Sequence, residues 1–405
     1  MTLSTRQKDI FSILCGLCAS FSLRFLGTFY FIEIIAVFSL FIIPWKKCFS
    51  NPQINTIKKL LLIWLIGAIV SDVFNETILI NSLKGWFNIV FMLLLIPFAY
   101  WLLHDNPKRF LWYSCGEAIS NILSFYLIRF KEMDEAAYEI WELYAWASLV
   151  IAIAGLLYYK GWHKQAFIYL FIMGIYFLYN GSRNLFLISM LTISTMLVIE
   201  KVKTNNILIL IHRYQRKIVI LLFSIICCGV VVNSAYEKMA SSGLLGEKAY
   251  EKYVKQKIES GGNVLKGGRT EVFDGLEFIS RNPIIGYGSF AIVGNINLWY
   301  KYNISDLVVK HDPDKLIPTH SHLVCFWLWH GILAVIFWLY ILYIFWNFFR
   351  KGTFLYEYKL SLFCLFMIIL QVWNIIFSPL AFRMPIILII VYIIILNERV
   401  IYYEK

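Results

Sequence analysis

The sequence predicts an all-α polytopic membrane protein with about twelve transmembrane helices and one large extracytoplasmic loop. Three observations carry this. The 405 residues are 60% hydrophobic and 18% aromatic but only 15% charged, with a mean hydropathy of +0.68, whereas a soluble domain holds roughly 25% charged residues. Apolar runs of about 17–25 residues, each long enough to cross a bilayer, recur along the whole chain. One long, mostly hydrophilic stretch of about 87 residues, Asn233 to Thr319, interrupts them. A water-soluble core is excluded. Nucleic acid is excluded as a partner, because the net charge of +12 is scattered over short loops and forms no basic stripe.

Taken in order, the apolar runs with their basic flanks place spans at 10–24, 28–44, 60–73, 86–103, 110–128, 144–159, 165–179, 184–199, 218–233, 321–348, 354–378 and 384–398. The first two are short and read as a tight pair. Arg6 and Lys8 precede the first run, with no clear small-residue cleavage site after it, so this run is read as a span and not as a signal peptide. The chain divides into helices 1–9 (1–232), the large loop (233–319) and helices 10–12 (320–405), forming one membrane domain. Arg6, Lys8, Lys46, Lys47, Lys58, Lys59, Lys108, Arg109, Lys160, Lys164, Lys201, Lys203, Arg213, Arg216, Lys217, Arg350 and Lys351 alternate with the spans and mark the cytoplasmic side. Both termini are then cytoplasmic, and the loop between spans nine and ten faces outward.

The outer side carries more cations than positive-inside bias predicts. Arg24, Lys84, Arg129, Lys131, Arg183 and Arg383 lie at outer helix ends or in short outer loops. An anion held at the outer face would account for them; side chains snorkelling at helix ends are the other account. Arg183 follows a Gly181-Ser182 turn with no acidic neighbour and suits bidentate phosphate binding, or else an interfacial anchor.

Within the loop, Arg269 follows Lys266-Gly267-Gly268, and Thr270 can cap a helix that starts at once. Val272, Phe273, Leu276 and Ile279 give this helix an apolar stripe, so it is expected on or near the bilayer surface. Arg269 at its N-terminus could hold an anion or pair with Glu271 or Asp274. Arg281-Asn282-Pro283 ends the helix, and Ile284-Ile285-Gly286-Tyr287-Gly288 reads as a fixed turn back to the protein body.

His320 stands where the loop re-enters the membrane, with His322 two residues on and His330 nearly three turns deeper. A histidine here could accept a proton from a hydroxyl; it could also cap a helix or sit at the interface. Asp72 and Glu76, at the outer end of span three, could orient this histidine or neutralise an arginine. Glu33 and Glu117 fall inside spans, where carboxylates are costly. His311-Asp312-Pro313-Asp314 has an acidic pair, but the intervening proline reads as a plain turn. Cys15-x-x-Cys18 has ligand spacing in an apolar helix with no histidine nearby, which suits buried small hydrophobes.

From Arg269 through Gly288, and then from His320 to Gly331, the chain resembles the O-antigen ligase and polymerase superfamily, which includes Wzy-type polymerases. The family pattern is an arginine, an amphipathic helix, an Asn-Pro-x-x-Gly-x-Gly turn, then His-Asn with a glycine about eleven residues on. Asn282 to Gly288 fits the turn, and His320 to Gly331 gives the spacing; Ser321 stands where the family has asparagine. Arg183 matches the family's arginine at an outer helix start. The resemblance covers about residues 165–395.

It implies a GT-C-like membrane glycosyltransferase of the bacterial inner membrane, with its active site facing the periplasm. The donor would be a glycan on undecaprenyl diphosphate, and the acceptor another glycan or lipid A-core. A chain-length regulator protein is a further implied partner. His320 would be the base, chosen over His322 by the spacing to Gly331, with Arg183 and Arg269 on the diphosphate and no metal or cofactor. Arg281, Asp72, Arg383, Arg24 and His322 are secondary candidates. Polymerase is favoured over ligase by analogy alone. A transporter of the same lipid-linked sugars is the reading from another class; it would show broken helices and need no base.

Overall fold

Ser4 opens the first helix with a capping box: its hydroxyl accepts from the Gln7 N–H, and the Gln7 side chain accepts from the Ser4 N–H at 2.9 Å. The computed structural model describes residues 4–24, 28–41, 43–127, 135–201, 234–244, 246–259, 270–293, 321–351, 357–378 and 383–403. The expected span at 218–233 lies outside the described residues, as do Arg269, His320 and the 311–314 turn.

The two short spans expected at 10–24 and 28–44 take a different form. α1 (Thr5–Leu17) leads into a hairpin of β1 (Ser22–Arg24) and β2 (Thr28–Tyr30), which runs straight into α2 (Phe31–Ser39). Arg24 pairs with Thr28 in this hairpin. The helix stops where neighbouring serines satisfy the backbone instead: Ser120 Oγ accepts from Ser20 N–H at 3.0 Å, and Ser124 Oγ donates to the Ser20 carbonyl at 3.2 Å. These serines belong to α6 (Arg109–Leu127), which crosses α1 at two facing glycines. A Cβ on Gly16 would lie 2.1 Å from the Tyr113 carbonyl oxygen, and one on Gly116 would lie 2.2 Å from that of Ile13. Small residues permit such close backbone approach between membrane helices.

The remaining helices before the loop are α3 (Trp45–Phe49), α4 (Pro52–Phe74), α5 (Leu79–Leu103), α7 (Glu135–Tyr159), α8 (His163–Tyr179) and α9 (Arg183–Lys201). α4 starts at Asn51, whose side chain accepts from Ile54 N–H at 3.0 Å, with Pro52 at the first position. In the loop, residues 234–241 are helical, followed by α10 (Glu247–Glu259) and α11 (Thr270–Arg281). Beyond it come α12 (His322–His330), α13 (Ile332–Lys351), α14 (Ser361–Phe377) and α15 (Arg383–Tyr403).

Among the described residues, five helical segments are long and apolar enough to cross a membrane: Leu79–Leu103, Glu142–Tyr159, Arg183–Glu200, Ile332–Lys351 and Tyr358–Phe377. Large apolar side chains also face outward, among them Ile66, Val73, Ile172 and Trp346. In water such a surface would aggregate; in lipid it is the expected exterior. The protein is a multi-pass helical membrane protein.

Charged groups gather at one end of the bundle, where the sequence placed basic loops. Arg109 is fully buried there: its guanidinium donates to Asp9 Oδ1 at 2.7 Å, to the Leu102 carbonyl at 3.0 Å and to the Thr5 carbonyl at 3.3 Å. Lys8 pairs with Asp105 at 2.6 Å, and Arg399 donates to the His104 carbonyl at 3.0 Å. These contacts tie the N-terminal helix, the 104–109 turn and the end of α15 together.

The expected continuous span 321–348 is broken. α12 ends at Gly331, which has φ 69° and ψ −163°, and α13 begins at the next residue. Trp64 of α4 packs into this break, with ring centroids 4.7 Å from Phe326, 5.2 Å from Phe337 and 5.8 Å from Trp338.

Candidate functional site at the broken helix

The Asn282–Gly288 turn fills the gap in the backbone ladder at Gly331. Tyr287 N–H donates to the Leu328 carbonyl at 2.8 Å and Gly288 N–H to that of Trp329 at 3.0 Å, while Ile332 N–H donates back to the Ile284 carbonyl at 3.1 Å. These groups would otherwise be orphaned by the break, and buried backbone polar groups must find partners. Glycine is required by the approach: a Cβ on Gly286 (φ +80°) would lie 2.7 Å from the carbonyl oxygens of Leu328 and Trp329.

Side chains complete the docking. Trp327 Nε1–H donates to the Pro283 carbonyl at 2.8 Å. Asn75 and Asn282 both donate to the Gly286 carbonyl, at 3.1 and 2.6 Å. Ser71 Oγ donates to the Trp329 carbonyl at 2.7 Å and accepts from Gly288 N–H at 3.1 Å. The end of α4 therefore holds the turn against α12. α11 packs against α12 as well. Its buried face is Val272, Gly275, Phe278 and Ile279, while Phe273 and Leu276 of the expected stripe are exposed. Phe278 packs beside Tyr287, with ring centroids 6.0 Å apart.

Asp72 is buried, 3% exposed. Its carboxylate accepts from Ser289 N–H at 2.6 Å, Ser289 Oγ–H at 2.9 Å and Trp86 Nε1–H at 2.7 Å. Ser289 Oγ in turn lies 2.9 Å from His330 Nε2, and Trp64 Nε1–H donates to His330 Nδ1 at 2.9 Å. Asp72, expected to orient the histidine at the re-entry point or to neutralise an arginine, reaches a different histidine, His330, through Ser289. The network was not read from the sequence. Ser289 follows the turn motif directly, but its partners lie 217 and 41 positions away, and no local pattern announces such pairs.

The other candidate residues are distributed as follows. Ser321 is the N-cap of α12: its Oγ accepts from Val324 N–H at 3.1 Å and donates to the Ile375 carbonyl at 3.0 Å. His322 is 3% exposed, its ring 5.2 Å from that of Trp338. Arg183 is the first residue of α9, its guanidinium 4.8 Å from the Tyr236 ring centroid. Arg281 is exposed at the end of α11. Arg383 is buried and engaged: Nε donates to Glu33 Oε1 at 2.5 Å and NH2 to Glu33 Oε2 at 2.8 Å, with Asn88 Oδ1 on NH1. The pair accounts for the intramembrane Glu33 and fastens the hairpin to α5 and α15. Lys84 stands over the Phe290 ring at 5.9 Å, beside the turn. Phe290 has φ 53°, an unusual conformation for a bulky residue.

The arrangement is a broken helix whose two halves are held by a glycine turn and a buried polar network. No protein-family model matches the chain, and no curated protein matches it.

Proposed function

We propose that the protein is a membrane glycosyltransferase of the O-antigen polymerase type. It would join undecaprenyl-diphosphate-linked oligosaccharide repeat units on the periplasmic face of the bacterial inner membrane. One observation carries the reading. The Asn282–Gly288 turn and the Ser321–Gly331 segment, the described parts of two stretches that carry the resemblance (within Arg269–Gly288 and His320–Gly331), are bonded to each other through their backbones. Two motifs far apart in the chain form one structural unit, as a shared site requires.

In this reading the acceptor hydroxyl attacks the anomeric carbon of the donor sugar and gives its proton to His320. The bond from that carbon to the diphosphate oxygen breaks, the lipid diphosphate leaves with the electron pair, and the configuration inverts. The leaving group is weakly basic, so charge stabilisation by Arg183 and Arg269 matters more than an acid. His322 is packed against Trp338, which favours His320 as the base. Arg383 has its guanidinium committed to Glu33 and serves the fold.

The test is a His320→Ala variant in a strain lacking the chromosomal copy, with glycans resolved by gel at unchanged protein level. Single-repeat product on the core supports a polymerase. Full-length glycan left on the carrier supports the ligase alternative, transfer to lipid A-core. Normal banding sinks the assignment of His320. The transporter reading draws on one specific observation, the helix break at Gly331, since broken helices line transport sites. Vesicles holding the purified protein and lipid-linked repeat units separate the two: polymer formation supports the enzyme, and movement between leaflets without linkage supports transport.

A further inference from the structure

We infer that Trp64, His330, Ser289, Asp72 and Trp86 form one proton-ordered hydrogen-bond chain that positions the start of α12, and with it the reaction site proposed above; the positioning role rests on that proposal. The order follows from the two ends. An indole N–H can only donate. Trp64 Nε1–H points at His330 Nδ1 at 2.9 Å, so Nδ1 is bare and the ring proton sits on Nε2. His330 Nε2–H then donates to Ser289 Oγ, 2.9 Å away. The hydroxyl has one proton, and it goes to Asp72 Oδ2 at 2.9 Å. That oxygen also receives Trp86 Nε1–H at 2.7 Å, while Oδ1 receives Ser289 N–H at 2.6 Å. Every donor has an acceptor and only one direction is allowed.

The chain is also enclosed. His330 lies beside Phe326, with ring centroids 5.9 Å apart and near-parallel planes. α5 closes on Ser289 so tightly that a Cβ on Gly85 would lie 2.0 Å from Ser289 Oγ. His330 is the last residue of α12, and Ser321 caps the other end with a bond to α14. α12 has nine residues and spans about 13 Å at 1.5 Å per residue. A helix that short has little length over which to absorb a shift at His330, so the shift loads the Ser321 cap and His322 at its other end. Ser289 and His330 are therefore positioning residues, with no contact to substrate required.

The test uses the full-length protein in nanodiscs, with nitrogen-15 in its tryptophans and histidines, and a lipid-linked repeat unit as substrate. In the wild type, His330 should show one protonated and one bare ring nitrogen, and the Trp64 indole should be hydrogen-bonded; Trp64→Phe identifies its signal. Ser289→Ala removes the acceptor of Nε2–H. Trp64 still requires a bare Nδ1, so the tautomer should hold while the Nε2–H signal shifts on losing its acceptor; in Trp64→Phe the tautomers should mix. The turnover rate of Ser289→Ala should fall on the order of a hundredfold, the cost of a displacement of about 1 Å, with KM nearly unchanged.

Asp72→Asn should do the same, because either amide orientation turns its NH2 group toward a donor. His330→Gln, whose amide offers one acceptor and one donor, should recover most of the turnover that His330→Ala loses. An unmoved His330 Nε2 signal and unchanged turnover in Ser289→Ala overturn the inference, as does a single tautomer kept in Trp64→Phe. So does a His330→Gln no better than His330→Ala. A wild-type chain that links no repeat units overturns the functional reading and the positioning role with it, while the nitrogen signals still decide whether the chain is proton-ordered.

Discussion

Replacing Gly331 with alanine separates a helix break built by backbone docking from one that is merely tolerated. At φ 69° and ψ −163° the residue occupies a region that only glycine enters freely, and another residue there costs about 1–3 kcal/mol. The added Cβ would lie 1.9 Å from the Ile284 carbonyl oxygen. The turn must then retreat by at least the 1.1 Å that separates 1.9 Å from the 3.0 Å floor of real contacts. A retreat of that size breaks the bonds from Tyr287 N, Gly288 N and Ile332 N, each worth about 0.5–1.5 kcal/mol.

Strain and lost bonds together come to about 2.5–7.5 kcal/mol. Gly161→Ala and Gly243→Ala are the controls: φ is +88° and +75°, and a Cβ at either meets nothing within 4 Å, so only backbone strain remains. The assay is thermal unfolding of the solubilised protein, followed by size-exclusion chromatography. Gly331→Ala should melt far below both controls. If it melts with them, the turn does not hold the break and the docking argument is wrong.

Gly116→Leu should separate α1 from α6, because a Cβ there already meets the Ile13 carbonyl at 2.2 Å; the folded monodisperse fraction after extraction should fall sharply, and an unchanged fraction would show that the crossing is loose. Arg383→Leu strands the buried Glu33 carboxylate and should cost about 3–5 kcal/mol, while the double variant with Glu33→Leu recovers much of it. A double variant as unstable as the single one would show that the pair does not act as a unit. Burial raises the pKa of Asp105, but the Lys8 hydrogen bond and charge, aided by His104 and Arg109, outweigh it and hold the carboxyl below its ordinary 3.8. A depressed folded pKa means that the stabilisation is complete above the unfolded value and is lost as pH falls through the folded one. Melting temperature below about pH 4 should therefore drop less steeply in Lys8→Met than in the wild type, and parallel curves would refute the pairing.

The membrane class, the Asn282–Gly288 turn and the existence of a helix over Thr270–Arg281 were legible in the sequence. Each is a local property: transfer of an apolar run into lipid, the fixed φ of Pro283, the freedom of Gly286 and Gly288, and a helical repeat of apolar residues. His330 was legible as a histidine set deeper than the re-entry point and Asp72 as a carboxylate able to orient a histidine or neutralise an arginine, but their joint role was not. A hydrogen bond between positions 41 or 217 apart leaves no trace in local periodicity. For the same reason the run 321–348 reads as one continuous span. Its hydropathy is unbroken, and the break at Gly331 exists because a turn some 45 residues upstream supplies the partners that the helix gives up. Charge followed the same division. Composition and loop position put cations on the outer side, whereas only the folded chain committed Arg383 to Glu33 and set Arg183 on Tyr236. Burial makes an ion pair or a stacked cation depend on whatever distant segment arrives beside it.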